Sequence, residues 1–276
     1  MDTVTFGDIR VDGISDGELH IPFERLFGDL DKRLFAKNGG VEGDYLTATL
    51  TTFVIRTPYK TILVDTGQGP TLNSPARFGL GTRWGLLPQA LQALSIHPDA
   101  VDTVVMTHLH ADHIGWNTSD EEGEARPMFR RARYLLSAKE WAFWSAENDA
   151  TVERHVRSLM ALDRLALVND NYEIVPGVSL FPTPGHTPGH TSVLILQGGE
   201  GGVITGDAAH HPTELESPEF GPSVDMDPGL ARRSREALVE RIERDGLVVF
   251  GTHFPPPNAG NLLRVEQKRM WRWQGA

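Results

Sequence analysis

Three histidines and a carboxylate fall inside six residues, His108-Leu109-His110-Ala111-Asp112-His113. Imidazole suits Zn, Fe, Ni and Cu, and a carboxylate adds a hard, charge-balancing oxygen. His108 and His110 are two apart, so in an extended segment their side chains point the same way. Asp112 and His113 follow, and Ile114-Gly115 allows a tight turn. The two pairs can therefore face two neighbouring metal positions. The plain alternative is a histidine-rich surface loop. The preceding stretch weighs against it, because Val101-Asp102-Thr103-Val104-Val105-Met106 reads as a buried strand. In layered α/β folds, ligands bind where strands end and loops begin.

The same arrangement recurs three times. Phe181-Pro182-Thr183-Pro184-Gly185-His186, Val203-Ile204-Thr205-Gly206-Asp207 and Phe250-Gly251-Thr252-His253 each end a strand on a ligand-type residue at a glycine-bearing turn. Singly these are weak, since Gly-Asp is usually a turn and an isolated histidine is usually structural. Together they give seven candidate ligands: His108, His110, Asp112, His113, His186, Asp207 and His253. Two four- or five-coordinate ions need about that many, with one carboxylate bridging and solvent filling the rest. Asp65 ends a further strand in Leu63-Val64-Asp65-Thr66-Gly67. It is either a turn former or a carboxylate that orients a ligating histidine.

The elements that must position these residues are mostly strands. Residues 2–20 read as two short strands around the turn dipeptides Asp12-Gly13 and Asp16-Gly17. Residues 46–64 read as a hairpin broken at Thr57-Pro58-Tyr59-Lys60. More strands are expected at 132–136, 173–175, 178–181, 192–197, 202–205 and 247–250. Helices are expected at 86–96, with apolar positions 87, 91 and 94 on one face, at 151–164, and from Asp227-Pro228 to about residue 245 with a solvated charged face. Another starts at Ser137, where Glu140 three residues on predicts a capping box, and carries Trp141 and Trp144 into the core. Residues 119–124 read as an acidic turn. Residues 68–85 read as a loop within reach of the site, with Phe78 and Trp84. Residues 21–45 are either an amphipathic segment packed on the body or a lid or dimer-contact arm. No linker or repeat divides the chain, so residues 1–276 read as one domain, with 1–45 as its N-terminal strand and lid segment.

Composition narrows the partners. A formal net charge of −11 over 276 residues disfavours a nucleic-acid footprint and anionic membranes. There is no cysteine, so any metal must be held by His, Asp and Glu. Residues 1–8 lack a basic n-region and an apolar h-region, and no apolar run approaches the ~20 residues of a membrane span. A soluble, cytoplasmic protein is the default expectation.

The ordered set Asp65, His108-x-His110-x-Asp112-His113, His186, Asp207 and His253 resembles the five motifs of the metallo-β-lactamase superfamily, across about residues 46–255. The resemblance implies a four-layer αββα sandwich, two mixed β-sheets flanked by helices, with the site along one edge. The strand and helix reading above agrees with this. The resemblance also implies that His108, His110 and His186 hold one divalent metal ion, that Asp112, His113 and His253 hold the other, and that Asp207 bridges them. Asp65 would stand behind a ligand, and His190 would be structural or supporting. Zn is the first expectation for both ions, with Fe, Mn or Co as alternatives.

Asp207 argues against the true β-lactamases, which as a rule lack this carboxylate. Acidity and the missing extra domain argue against RNA-processing nucleases, and the length leaves no flavin domain for a flavodiiron protein. Quorum-quenching lactonases carry a tyrosine three residues after the bridging aspartate, where this chain has His210. That histidine, with Asp16-Gly17, Pro22 and Leu26-Phe27, is similar to the methyl parathion hydrolase group. The implied function is a dinuclear metal-dependent hydrolase attacking an ester, lactone or phosphotriester with a metal-bridging hydroxide. Asp112, Asp207 and His210 are its expected catalytic residues. Alternatives are an N-acyl homoserine lactonase, a glyoxalase II-like thioesterase, an iron-dependent oxygenase on the same fold, or a metal-binding module without turnover. The expected partners are a small-molecule substrate and a second copy in a homodimer, with no nucleic acid and no membrane.

Overall fold

The computed structural model describes residues 3–70, 82–121 and 124–275. It starts with β1 (Thr3–Phe6) and the long β2 (Ile9–Pro22). The turn between them is Gly7-Asp8, where Asp12-Gly13 had been expected. Asp12 is kept inside the strand by salt bridges to Arg10 and Arg56, at 2.7 and 2.6 Å. Asp16-Gly17 lies in a bulge, where the pairing register shifts between Ser15 and Gly17. Two short strands are thus replaced by a hairpin whose second arm is long and bent.

The chain continues through α1 (Phe23–Phe27), α2 (Lys32–Ala36), β3 (Val41–Glu42), β4 (Tyr45–Arg56) and β5 (Thr61–Val64). Next come α3 (Leu87–Ala93), β6 (Thr103–Met106) and α4 (Ala111–Ile114). Residues 71–81, which include Phe78 of the expected loop, lie outside the described residues. The expected acidic turn is instead the ends of β7 (Thr118–Glu121) and β8 (Glu124–Pro127), which pair antiparallel. β9 (Arg133–Ser137) runs into α5 (Ala138–Trp144). The helix expected at 151–164 is α6 (Ala150–Val152) and α7 (Ser158–Ala161), joined by a π-helical stretch at Glu153–Arg157. After β10 (Leu165–Val168) come β11 (Glu173–Val175), β12 (Val178–Pro182), β13 (Thr191–Gln197) and β14 (Glu200–Ile204). The chain closes with α8 (Pro212–Glu216), α9 (Pro228–Asp245), β15 (Val248–Phe250), β16 (Ala259–Val265) and β17 (Lys268–Trp273).

Two mixed sheets result, one in the order β1-β2-β4-β5-β6-β9-β10 with β3 on β4, the other β11 through β17 in sequence order. Three apolar layers bind them. Phe6, Phe53, Ile62 and Val105 of the first sheet meet Val178, Val193, Ile204 and Phe250 of the second. Val54, Leu63 and Val104 on the first sheet's outer face pack with Leu87 and Leu91 of α3 and with Val152, Val156 and Leu159. Leu194, Val203 and Val249 on the second sheet's outer face pack on Leu238, Val239 and Ile242 of α9. That is the expected helix-sheet-sheet-helix stack. α9 forms where it should, because Asp227 accepts a hydrogen bond from the Leu230 N–H at 2.9 Å and Gly246 ends the helix in the left-handed region.

The capping box at Ser137 does not form, as Ser137 makes no side-chain cap bond. Glu140 is fully buried and turns its carboxylate inward, where Leu109 N–H donates to it at 3.1 Å and Gly189 N–H at 2.9 Å. The carboxylate is thus taken by donors from two other loops and does not turn back to Ser137.

Candidate metal centre

All the expected ligands gather at one edge of the sandwich. In the first sheet Asp65 follows β5 and the His108–His113 stretch follows β6, and these strands are parallel neighbours. In the second sheet Asp207 follows β14 and His253 follows β15, again parallel neighbours. His186 follows β12. The Thr191 N–H donates to the Thr107 carbonyl at 3.0 Å and ties the two sheets together there.

The side chains converge as two groups. His108, His110, His186 and Asp207 each place a ligand atom within 4.8 Å of the others, and Asp112, His113 and His253 do the same. Asp207 lies between the groups. Its Oδ2 is 3.3 Å from His186 Nε2 and 3.7 Å from His108 Nε2. Its Oδ1 is 3.2 Å from both His113 Nε2 and His253 Nε2. Asp112 Oδ2 is 3.6 Å from His253 Nε2.

These residues fit divalent cations. His108 Nε2 and Asp207 Oδ1 are buried without a hydrogen-bond partner. Leaving such an atom unsatisfied costs about 1–3 kcal/mol, so convergent orphan acceptors call for a cation. The donors are all nitrogen and oxygen, the set that suits Zn and its first-row neighbours. Burial, with the nearby His113, pushes the pKa of His108 well below its ordinary value, which favours the neutral imidazole that ligates. Burial alone would raise the pKa of Asp207, but His113, His253, His210 and His108 hold it well below the usual range.

His113, His186 and His253 are each aimed by a partner behind the ring, and His108 Nδ1 lies 3.1 Å from Thr107 Oγ1. His113 Nδ1 is 2.8 Å from Asp65 Oδ2, which leaves Nε2 free to face the second group. Asp65 is in the left-handed region at φ 60°, a conformation an aspartate tolerates, and accepts from Thr107 N–H at 2.8 Å. Asp65 thus stands behind His113. His253 Nδ1 donates to the Thr49 carbonyl at 2.7 Å. His190 is buried and supporting: its Nε2 accepts from the Asp207 N–H at 2.9 Å, and burial pushes its pKa down to about 3. Gly206 must be glycine, because at φ 55° a Cβ there would lie 2.6 Å from His190 Nε2.

Two residues of this frame were not expected. His186 Nδ1 is 3.1 Å from Asp225 Oδ1, and Asp225 Oδ2 accepts from Arg235 at 3.1 Å. Arg235 is 1 % exposed on the buried face of α9, so that helix does not solvate all its charges. A signal existed: positions 231, 235, 238, 239 and 242 share one helical face, and Arg235 is the charge within that stripe.

His210 enters the site and is 5 % exposed. Its Nε2 is 3.2 Å from Asp207 Oδ2, and its ring stacks on His253 at 5.6 Å. Burial would lower its pKa, but Asp207 and Glu214 outweigh that and push it up to about 10. The neighbouring His211 faces the opposite way. It caps α8, accepts from Thr213 N–H, and lies 3.0 Å from the Gly39 carbonyl through Nε2. Phe35 packs on it, so the 21–45 segment is bound to the body. That segment also reaches the site. Leu19, Ile21, Leu26, Ala48 and Val224 line a cavity of about 170 Å³ that opens onto His110, Asp112, His186, Asp207, His210 and His253.

A family model described as the metallo-beta-lactamase superfamily matches residues 50–119 and 138–253. The N-acyl homoserine lactonase AiiA of Bacillus thuringiensis subsp. kurstaki is 27% identical over 223 residues, 76% of this chain and 83% of that one. Among solved structures, the hydrolase AbOPH in the beta lactamase superfamily aligns with a TM-score of 0.84 at 22% identity, over 99% of this chain and 97% of that one. AidC, a dizinc quorum-quenching lactonase, aligns at 0.81 and 22% identity, over 100% of this chain and 97% of that one. The two structures share the fold, and the family match spans both groups of converging side chains: the chain belongs to the metallo-beta-lactamase superfamily.

Proposed function

We propose that this chain is a dinuclear metal-dependent hydrolase that opens lactones or related esters carrying an apolar group. The observation that carries the reading is Asp207, whose two oxygens face the two groups of histidines separately. His108, His110 and His186 would hold one ion, Asp112, His113 and His253 the other, with Asp207 shared. When bound, two divalent cations supply Lewis acidity and lower the pKa of water toward about 7. Zinc is the first metal to supply, with iron, manganese and cobalt as competitors.

The chain's own residues do the rest. Leu19, Ile21, Leu26, Ala48 and Val224 bind the apolar part of the substrate and exclude water from that side. His210 presents Nε2 in the cavity wall, 3.2 Å from Asp207 Oδ2, where it can carry a proton as Nε2–H. That proton can be donated to the oxygen where negative charge develops. Asp112 and Asp207 are hydrogen-bond acceptors beside it and can relay the proton the reaction releases toward solvent. The relatives named as N-acyl homoserine lactonases support the lactone class. Aryl esters and phosphotriesters form a second reading, favoured by His210 standing in the cavity wall.

The test is a hydrolysis screen of metal-replete protein on lactones, aryl esters, thioesters and phosphotriesters, with metal analysis of the same sample. Lactone or ester turnover with two ions per chain is expected. Two bound ions without turnover of any ester, lactone or phosphotriester would leave a binding module, and bound iron with oxygen consumption would favour an oxygenase.

A further inference from the structure

We infer that Glu140 is a positioning residue for one half of the metal centre: it clamps together the two loops that present His108, His110 and His186. The inference rests on the dinuclear reading above. Glu140 lies on α5, outside the ligand motifs, and its side chain is fully buried. A carboxylate has about four acceptor positions, and four donors reach this one. Oε1 accepts from Leu109 N–H at 3.1 Å and from Trp144 Nε1–H at 2.8 Å. Oε2 accepts from Thr187 Oγ1–H at 2.8 Å and from Gly189 N–H at 2.9 Å.

The sources of those donors matter. Leu109 stands between His108 and His110. Thr187 and Gly189 follow His186 in a loop closed on itself by Gly185 N–H to Thr187 O, at 2.9 Å, and Thr183 N–H to His190 O, at 3.0 Å. Holding Thr187 therefore holds His186. One side chain thus fixes the distance between the β6 loop and the β12 loop, whose His110 Nδ1 and His186 Nε2 are 3.0 Å apart. Trp144, held by the same carboxylate, presents its ring edge-on to His110 at 6.0 Å. The loop also lies directly on α5. A Cβ on Gly189 would be 2.0 Å from the Glu140 nitrogen, so that position excludes any side chain. None of these four bonds goes to Asp112, His113 or His253.

The bland account is a buried carboxylate that merely stabilises the fold. It differs in a measurable way, since a stabilising group would not distinguish the two ions. Glu140→Gln keeps shape but puts an amide NH₂ against either Leu109 and Trp144 or Thr187 and Gly189, so one loop loses its acceptor. Outer partners of metal ligands typically contribute about 10–100-fold to metal affinity.

The experiment titrates metal-free wild type, Glu140→Gln and Thr187→Val with zinc against a chromophoric chelator. Cobalt(II) spectra and the melting temperature of each metal-free protein are measured alongside. Wild type should take two ions. Glu140→Gln should weaken one of them by about 10–100-fold and leave the other, with the cobalt spectrum changed for the weakened ion only. Thr187→Val, missing one bond of four, should weaken the same ion less. Wild-type affinity for both ions in Glu140→Gln overturns the inference. So does an equal loss of both that tracks a lower metal-free melting temperature. If Glu140→Gln does not fold, Thr187→Val decides, and unchanged affinity for both ions there also overturns it. Should wild type take up only one ion, the dinuclear reading fails by itself. Glu140 is then judged on that ion, which must weaken in Glu140→Gln.

Discussion

The two halves of the metal centre are built on different parts of the molecule. His113 and His253 are aimed by the first sheet itself, through Asp65 at the end of β5 and the Thr49 carbonyl within β4. In the other half His186 is backed by the Asp225–Arg235 pair anchored on α9, and the loops that carry His110 and His186 both donate to Glu140 of α5. One half inherits the rigidity of a hydrogen-bonded ladder. The other depends on buried charge. Buried ion pairs contribute little net stability, yet losing one partner costs about 3–5 kcal/mol. The helix-supported half should therefore be the more easily broken by a single substitution away from the ligands.

The largest effect should come from the residue shared by both halves. Asp207→Ala removes the carboxylate that faces His186 with one oxygen and His113 with the other. It should lower metal content and cost more kcat/KM than the about 10–100-fold typical of an orienting partner. Elemental analysis and steady-state kinetics on folded protein test this beside Asp65→Ala. Equal losses in the two variants would mean that Asp207 is not shared.

Next in size is His210, which faces the cavity and belongs to neither half. His210→Phe should lower kcat by about 10²–10³, as loss of an oxyanion donor does, with metal content unchanged. His210→Tyr keeps a donor and should retain more lactone hydrolysis than His210→Phe, while losing relatively more aryl-ester or phosphotriester turnover. Identical kinetics for all three proteins on both substrate types would make His210 a bystander.

How much was legible in the sequence follows the same division. The converging side chains could be read because each ends a strand at a glycine-bearing turn, and period-two patterning marks strand ends. Asp65 was legible for that reason. Asp225 was not, since it sits between α8 and α9 where nothing periodic marks it. Glu140 is legible only as a capping-box residue, because Ser137-x-x-Glu140 fits that motif locally and only the arrival of the Leu109 and Gly189 amides decides otherwise. The hairpin at β1–β2 was misplaced because Asp12-Gly13 looks like a turn until Arg56 of β4 arrives to pair with Asp12. Of the cavity wall only Ile21 and Leu26 are legible, as parts of the 21–45 lid or packing segment; Leu19, Ala48 and Val224 are ordinary apolar residues that β2, β4 and the chain before α9 bring to the site edge.

The smallest expected effects sharpen the comparison most, because they should fall on opposite halves. Asp65→Asn and Asp225→Asn are near-isosteric, and each leaves an oxygen that can still accept from the histidine Nδ1–H. Each also turns an acceptor into an NH₂ donor. In Asp65→Asn that donor opposes the Thr107 N–H, which donates to Oδ1 at 2.8 Å, while the Thr107 hydroxyl shares Oδ2 with His113. In Asp225→Asn it opposes the Arg235 guanidinium, which still has Glu214 3.6 Å away as a remaining counter-charge. Asp225→Asn should therefore fold, with a stability loss below the about 3–5 kcal/mol of a fully stranded buried charge. Each variant should weaken one ion by about 10–100-fold: Asp65→Asn the ion near His113, Asp225→Asn the ion near His186. Zinc titration with cobalt spectra separates the two ions, and urea unfolding of the metal-free proteins gives the stability change. If both variants weaken the same ion, the halves are not supported independently, and the contrast between a sheet-held and a helix-held metal position is wrong.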